Sequence, residues 1–144
     1  MKLMQPITKF HLIESAFVLS VPLFAYIAES TCGPGTNDWS RWHWLMLAYA
    51  AYCVHLGFFY RRKFEVKARL ALSANPTDKK GLRTWEASQV VPLCFAEHIA
   101  LAGAIIRFIL GGTLFQAAPF YALALVLVLL WSPREPPKPA LSNP

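Results

Sequence analysis

The amino-acid sequence predicts an all-α fold, an integral membrane bundle of four transmembrane helices, and three observations carry that expectation. First, 56% of the 144 residues are hydrophobic and 15% are charged, against about 45–50% apolar in an ordinary soluble domain. Second, the apolar residues gather in four stretches, about 10–28, 44–60, 88–110 and 114–131. Each is long enough, or nearly so, to cross a ~30 Å hydrocarbon layer at ~1.5 Å per residue. Third, the basic residues are one-sided. The N-terminal segment, the second loop and the tail together hold twelve Lys and Arg, and the two outer loops hold one, Arg41. Basic loops resist translocation, so both termini are expected on the cytoplasmic side. A transmembrane domain over 1–131 followed by a disordered, proline-rich cytoplasmic tail over 132–144 is the expected organisation. The setting implied is a bacterial inner membrane or an organellar inner membrane.

The first stretch follows Lys2 and Lys9 and carries Glu14 and Pro22. Its length and its acid favour a retained anchor over a cleaved signal peptide. The loop after it holds Gly33-Pro34-Gly35 and Asn37-Asp38, which is turn chemistry. Trp39, Trp42 and Trp44 then form an aromatic cluster of the kind that settles at headgroup level, marking the start of span two. Arg61, Arg62 and Lys63 mark its inner rim. Beyond them apolar residues interleave with charges, so span two is expected to continue as a helix to about Ser73. Asn75-Pro76-Thr77-Asp78 reads as a cap, with Asn75 at the N-cap and Pro76 at the first helical position of the next helix. The second loop is thus expected to be a helical cytoplasmic hairpin. Gly111-Gly112-Thr113 leaves room only for a tight antiparallel connection between spans three and four. Arg107, near the outer end of span three, is expected to reach the interface with its long stem. Repeated proline after Ser132 precludes a helix in the tail.

The net charge of +6 follows from this topology. It points to contact with an anionic lipid bilayer and not to nucleic acid. Three cysteines, Cys32, Cys53 and Cys94, without a C-x-x-C pair argue against a disulfide framework. No phosphate-binding glycine loop, G-x-S-x-G or H-E-x-x-H motif is present, so no catalytic residue is assigned. Arg83, Glu86 and Gln89 at the inner mouth of span three are residue types able to bind a polar headgroup or a thiol cofactor, but their spacing alone does not support that role.

Glu97 is the strongest candidate for function. It lies about nine residues into span three, or ~13 Å deep, close to the midplane. An ionised carboxylate there is costly unless it is paired, hydrated or turned toward a partner subunit. Ala96, Ala100 and Ala104 make a small-residue stripe on which another helix can approach closely. By the same bookkeeping Glu14 lies ~6 Å inside the inner rim, His55 ~8 Å and His98 ~15 Å. Glu97, His98, Glu14 and His55 are therefore the candidate ion- or proton-handling set. A metal site is not expected, because Cys53, His55, Cys94 and His98 offer no close ligand pair except Cys53-x-His55. A haem held by His55 and His98 is the one cofactor the residues admit, although the two differ by ~7 Å in height.

The segment Ala96-Glu97-His98-Ile99-Ala100-Leu101-Ala102-Gly103-Ala104 resembles the carboxylate helix of the proteolipid c-type subunits of rotary ATPases. In that family a midplane acid is followed by a small residue at +3 and a glycine at +6, matched here by Glu97, Ala100 and Gly103. Glu14 followed by Ser20 faintly repeats the pattern in span one. The likeness covers roughly fifteen residues; the glycine-rich partner helix and the tight polar turn of that family are absent. Span three is also similar to that of bacterial four-span membrane proteins. The proteolipid resemblance implies that Glu97 carries the ion. The residues themselves point first to a non-catalytic subunit or assembly factor, in contact with other membrane subunits or with copies of itself. A proton- or cation-translocating subunit using Glu97 and a haem b electron-transfer subunit are the alternatives.

Overall fold

A computed structural model describes residues 6–134 of the chain, apart from the side chains of residues 6–11 and 14. Among the described residues the chain is all-helical, with four helices and no strand: α1 (Pro6–Thr31), α2 (Arg41–Ala74), α3 (Lys79–Phe108) and α4 (Leu114–Leu130). The expected stretches fall within these helices or within a residue or two of their ends. Lys2, the side chains of Lys9 and Glu14, and the tail beyond Arg134 lie outside what the structure describes.

The helix α2 continues well past the expected membrane rim, and its end lies one residue from the expected one. Asn75 stops it, because the following proline forces its backbone extended, φ −146° and ψ 103°. The cap, however, sits three residues later than the sequence suggests. Asn75 spends its side-chain oxygen on the turn, accepting from the Thr77 amide at 3.1 Å and the Thr77 hydroxyl at 2.9 Å. Asp78 is the N-cap of α3, accepting from the Lys80 and Gly81 amides at 3.1 and 2.9 Å. The hairpin so formed has its own small core of Ala68, Leu72 and Trp85. Gly81 lets the two helices meet there, since a β-carbon would stand 3.2 Å from Ala71 Cβ.

The helix α3 is the central element, packed against α1, α2 and α4, while α1 also leans on α4. Its small-residue face carries that packing. Ala96 and Ala100 are fully buried and Ala104 nearly so, and a β-carbon on Gly103 would come within 3.1 Å of Phe120 and of the Tyr121 ring. Leu93, Ile99, Ile106, Phe120, Val128 and Trp131 fill the remaining core.

Large apolar side chains also point outward on all four helices, among them Leu19, Tyr26, Tyr52, Phe59, Leu101, Phe115 and Val126. Among the described residues one helix, α3, is long and apolar enough to cross a membrane. Two further apolar helical segments, Ser15–Thr31 and Leu114–Leu130, are shorter. Because α3 is also the most enclosed helix, its apolarity equally suits a central core position.

Candidate functional site

Glu97 lies half-buried on the side of α3 that meets α1. Its carboxylate is 2.8 Å from the Ser20 hydroxyl, which is also 2.9 Å from the Phe17 carbonyl one turn back. A hydroxyl has one proton and two lone pairs. If Glu97 is ionised, Ser20 donates to it. If Glu97 is protonated, the acid donates to Ser20 and Ser20 donates to Phe17. The contact is satisfied in either state, so the acid ties α1 to α3 without having to be charged.

The two histidines of the candidate set are both exposed. His98 is exposed, and its Nδ1 donates to the Cys94 carbonyl of its own helix at 2.7 Å. His55 is exposed on α2 and stacks on Phe59 with ring centroids 6.5 Å apart. The path between the imidazoles runs through Phe59, Tyr60 and Phe95, at centroid spacings of 5.4, 6.0 and 6.5 Å. The two imidazoles share no ring contact among the described residues. No group of three or more His, Cys, Asp or Glu among the described residues is placed to hold a metal.

The bundle ends hold the denser polar chemistry. At the end formed by the α1–α2 and α3–α4 connections, Arg107 does not reach outward as expected. Its side chain is only 3% exposed, because it turns into the bundle to meet Glu29. Nε lies 2.5 Å from Glu29 Oε1 and a terminal nitrogen 2.9 Å from Oε2. The guanidinium also donates to the carbonyls of Gly33 and Gly112, so one side chain binds both connections. Those connections touch directly: the Thr36 amide donates to the Gly111 carbonyl at 2.9 Å. Gly35 and Gly111 adopt φ of +68° and +65° there, a region that suits glycine. His43, one residue from Trp42 and Trp44, is buried and completes the start of α2 by accepting the Ser40 amide at 3.2 Å. Gln116 performs the same service for α4 through the Thr113 amide at 2.8 Å. Trp39, Trp42 and Trp44 are half exposed around this end.

At the opposite end Arg61 is buried, whereas Arg62 and Lys63 are exposed. Arg61 donates to the Leu130 carbonyl at the end of α4, a long contact of 3.4 Å. Gln89, fully buried, accepts the Arg134 amide at 3.0 Å, and the Trp85 indole donates to the Arg134 carbonyl at 3.3 Å. Trp131 fills the space left by Gly57, and a β-carbon on Gly57 would sit 2.9 and 3.0 Å from two further carbons of its ring. Of the set Arg83, Glu86 and Gln89, only Gln89 turns inward, while the other two are exposed.

Sequence reasoning missed Glu29, His43, Trp85 and Trp131 as structural partners. The Glu29–Arg107 pair had a signal: opposite charges at matching heights, one at the end of α1 and one at the end of α3. Comparison of the chain with protein-family models, with curated proteins and with solved structures found no match.

Proposed function

We propose that this chain is a membrane-embedded bundle with both termini on the cytoplasmic side, acting as a non-catalytic subunit or assembly factor of a larger membrane complex. The observation that carries the reading is the distribution of polarity. Large apolar side chains face outward on all four helices, and soluble monomers rarely expose contiguous apolar surface beyond a few hundred Å². The ion pair, the buried glutamines and the arginine clusters stand at the two ends, where a bilayer would present its headgroups.

The Ser20–Glu97 contact supports a structural role over ion carriage. The acid is engaged by a neighbouring helix of its own chain. Interhelical hydrogen bonds of this kind contribute ~0.6–2 kcal/mol in membranes, enough to fix how α1 seats on α3.

Native mass spectrometry of the protein released gently from its own membrane tests this reading. A single copy within a hetero-complex, unchanged by Glu97→Gln, is the expected result. A homo-oligomeric ring whose ion movement is abolished by Glu97→Gln would replace it with the proteolipid-like alternative. A retained haem-sized mass would replace it with the electron-transfer one.

A further inference from the structure

A cavity of about 350 Å³ opens at the end of the bundle where α2 leaves the proposed membrane, and arginines dominate its wall. Arg61, Arg62, Arg69 and Arg134 line it together with a single acid, Glu65. That acid is already committed, for Arg69 holds Glu65 Oε1 through two nitrogens, at 2.7 and 3.2 Å. The Arg69 guanidinium is further fixed over the Trp85 ring at 5.8 Å. Arg61 is buried, and its only hydrogen-bond partner among the described residues is the Leu130 carbonyl. The Arg134 backbone is pinned by Gln89 and Trp85, which sets its side chain at the mouth. Four guanidinium groups against one carboxylate leave three positive charges without a described counter-charge.

Of the four, Arg62, Arg69 and Arg134 are exposed and hydrated, whereas Arg61 is buried and gains most from an anion brought to the cavity. Burial first, and then the neighbouring Arg134, push the Arg61 guanidinium below its ordinary value, while Glu65 pulls the other way. Arginine presents a planar fork of donors that suits phosphate oxygens bidentately. The rest of the wall is apolar: Phe58, Val66, Leu130 and Trp131. The first three are open toward the flank of the bundle. The volume lies within the range of small-ligand sites, about 300–1,000 Å³.

We propose that this cavity is a binding site for a phosphate group, and specifically for the phosphate headgroup of an anionic lipid whose acyl chains lie along Phe58, Val66 and Leu130. Only the acyl-chain half rests on the membrane placement proposed above; the phosphate half stands on the arginines. The site lies apart from Glu97 and from the outer ion pair.

The test uses the full chain in a neutral detergent, with dioleoyl phosphatidic acid, dioleoyl phosphatidylcholine and inorganic phosphate as probes and native mass spectrometry as readout. Phosphatidic acid is expected to bind at least tenfold tighter than phosphatidylcholine. Arg62→Gln with Arg134→Gln, both exposed and outside the core, removes that preference. Lys79→Gln with Lys80→Gln removes the same charge from the same side of the molecule but away from the cavity, and leaves the preference intact. Inorganic phosphate that matches phosphatidic acid in affinity, and loses it in the arginine variant, supports the phosphate site while removing the acyl-chain half and its membrane support. A preference unchanged in the arginine variant, or lost equally in the lysine variant, overturns the proposal.

Discussion

The Glu29–Arg107 pair makes a sharp stability prediction because its two members are unequally buried. The Arg107 side chain is 3% exposed and that of Glu29 is 32% exposed. Glu29→Gln removes the counter-charge but leaves a guanidinium inside the bundle, a loss of ~3–5 kcal/mol when one partner of a buried pair is deleted. The amide oxygen still accepts one hydrogen bond and that rim is partly wet, so the lower end, ~3 kcal/mol, is expected. Arg107→Met instead removes the buried charge, and Glu29 hydrates where it stands. What is lost then is the donor to the Gly112 and Gly33 carbonyls, worth ~1–3 kcal/mol for buried acceptors left unmade. The double variant has no buried charge to strand, so it should resemble Arg107→Met alone. The two single losses therefore fail to add by ~3 kcal/mol, as expected for groups in direct contact. Denaturant titration of the four proteins in one detergent, at low and high salt, measures this. Additive losses, or a Glu29→Gln protein within 1 kcal/mol of the parent, would refute the reasoning, where 1 kcal/mol is about a fivefold change in the unfolding equilibrium.

Three further outcomes follow from single contacts. Asp78→Ala should cost ~1 kcal/mol by removing the N-cap of α3, read as faster amide exchange confined to the first turn after Asp78. Gly57→Ala should destabilise in spite of the ~1 kcal/mol that alanine gains over glycine in a helix, because its β-carbon meets the buried Trp131 ring. A raised denaturation midpoint would show that the indole swings away freely. Ser20→Ala and Glu97→Gln should give losses of similar size, with the double variant no worse than either, if the two side chains serve only each other; strict additivity would count against that.

How much was legible in the sequence depended on how far apart the cooperating residues lie. Hydropathy and glycine placement located the four helices, and the charge-interleaved run after Lys63 gave the long continuation of α2. The same segment misled in detail: Asn-Pro-Thr-Asp contains two residues able to cap, and only the turn geometry decides that Asn75 holds Thr77 while Asp78 starts α3. Glu97 was visible by depth, but its partner was not, since Ser20 lies 77 positions away. His55 and His98 looked equivalent as potential ligands, yet helix phase turns both to the outside. Arg107 was read from its own position near a rim, and its burial follows from Glu29, which lies on a different helix.

The two ends of the bundle solve one physical problem in the same way. In the hydrocarbon surrounding proposed for this bundle, an apolar side chain would gain little by exchanging lipid for another helix, so leucines and alanines alone would specify helix register weakly. At each end an arginine from one helix donates to a backbone carbonyl near the end of another element: Arg61 to Leu130, and Arg107 to Gly112 and Gly33. Each end also holds a buried glutamine that accepts a backbone amide, Gln89 from Arg134 and Gln116 from Thr113. Backbone carbonyls and amides are obligatory hydrogen-bonding groups wherever water is scarce, so these latches recognise a position along the chain and not a particular side chain. A sequence therefore shows the arginine and the glutamine but carries no mark on the residue they bind. The two ends differ in charge balance. The Arg107 latch is closed by Glu29, whereas the Arg61 end keeps three positive charges without a described counter-charge, and it is there that the proposed phosphate site lies.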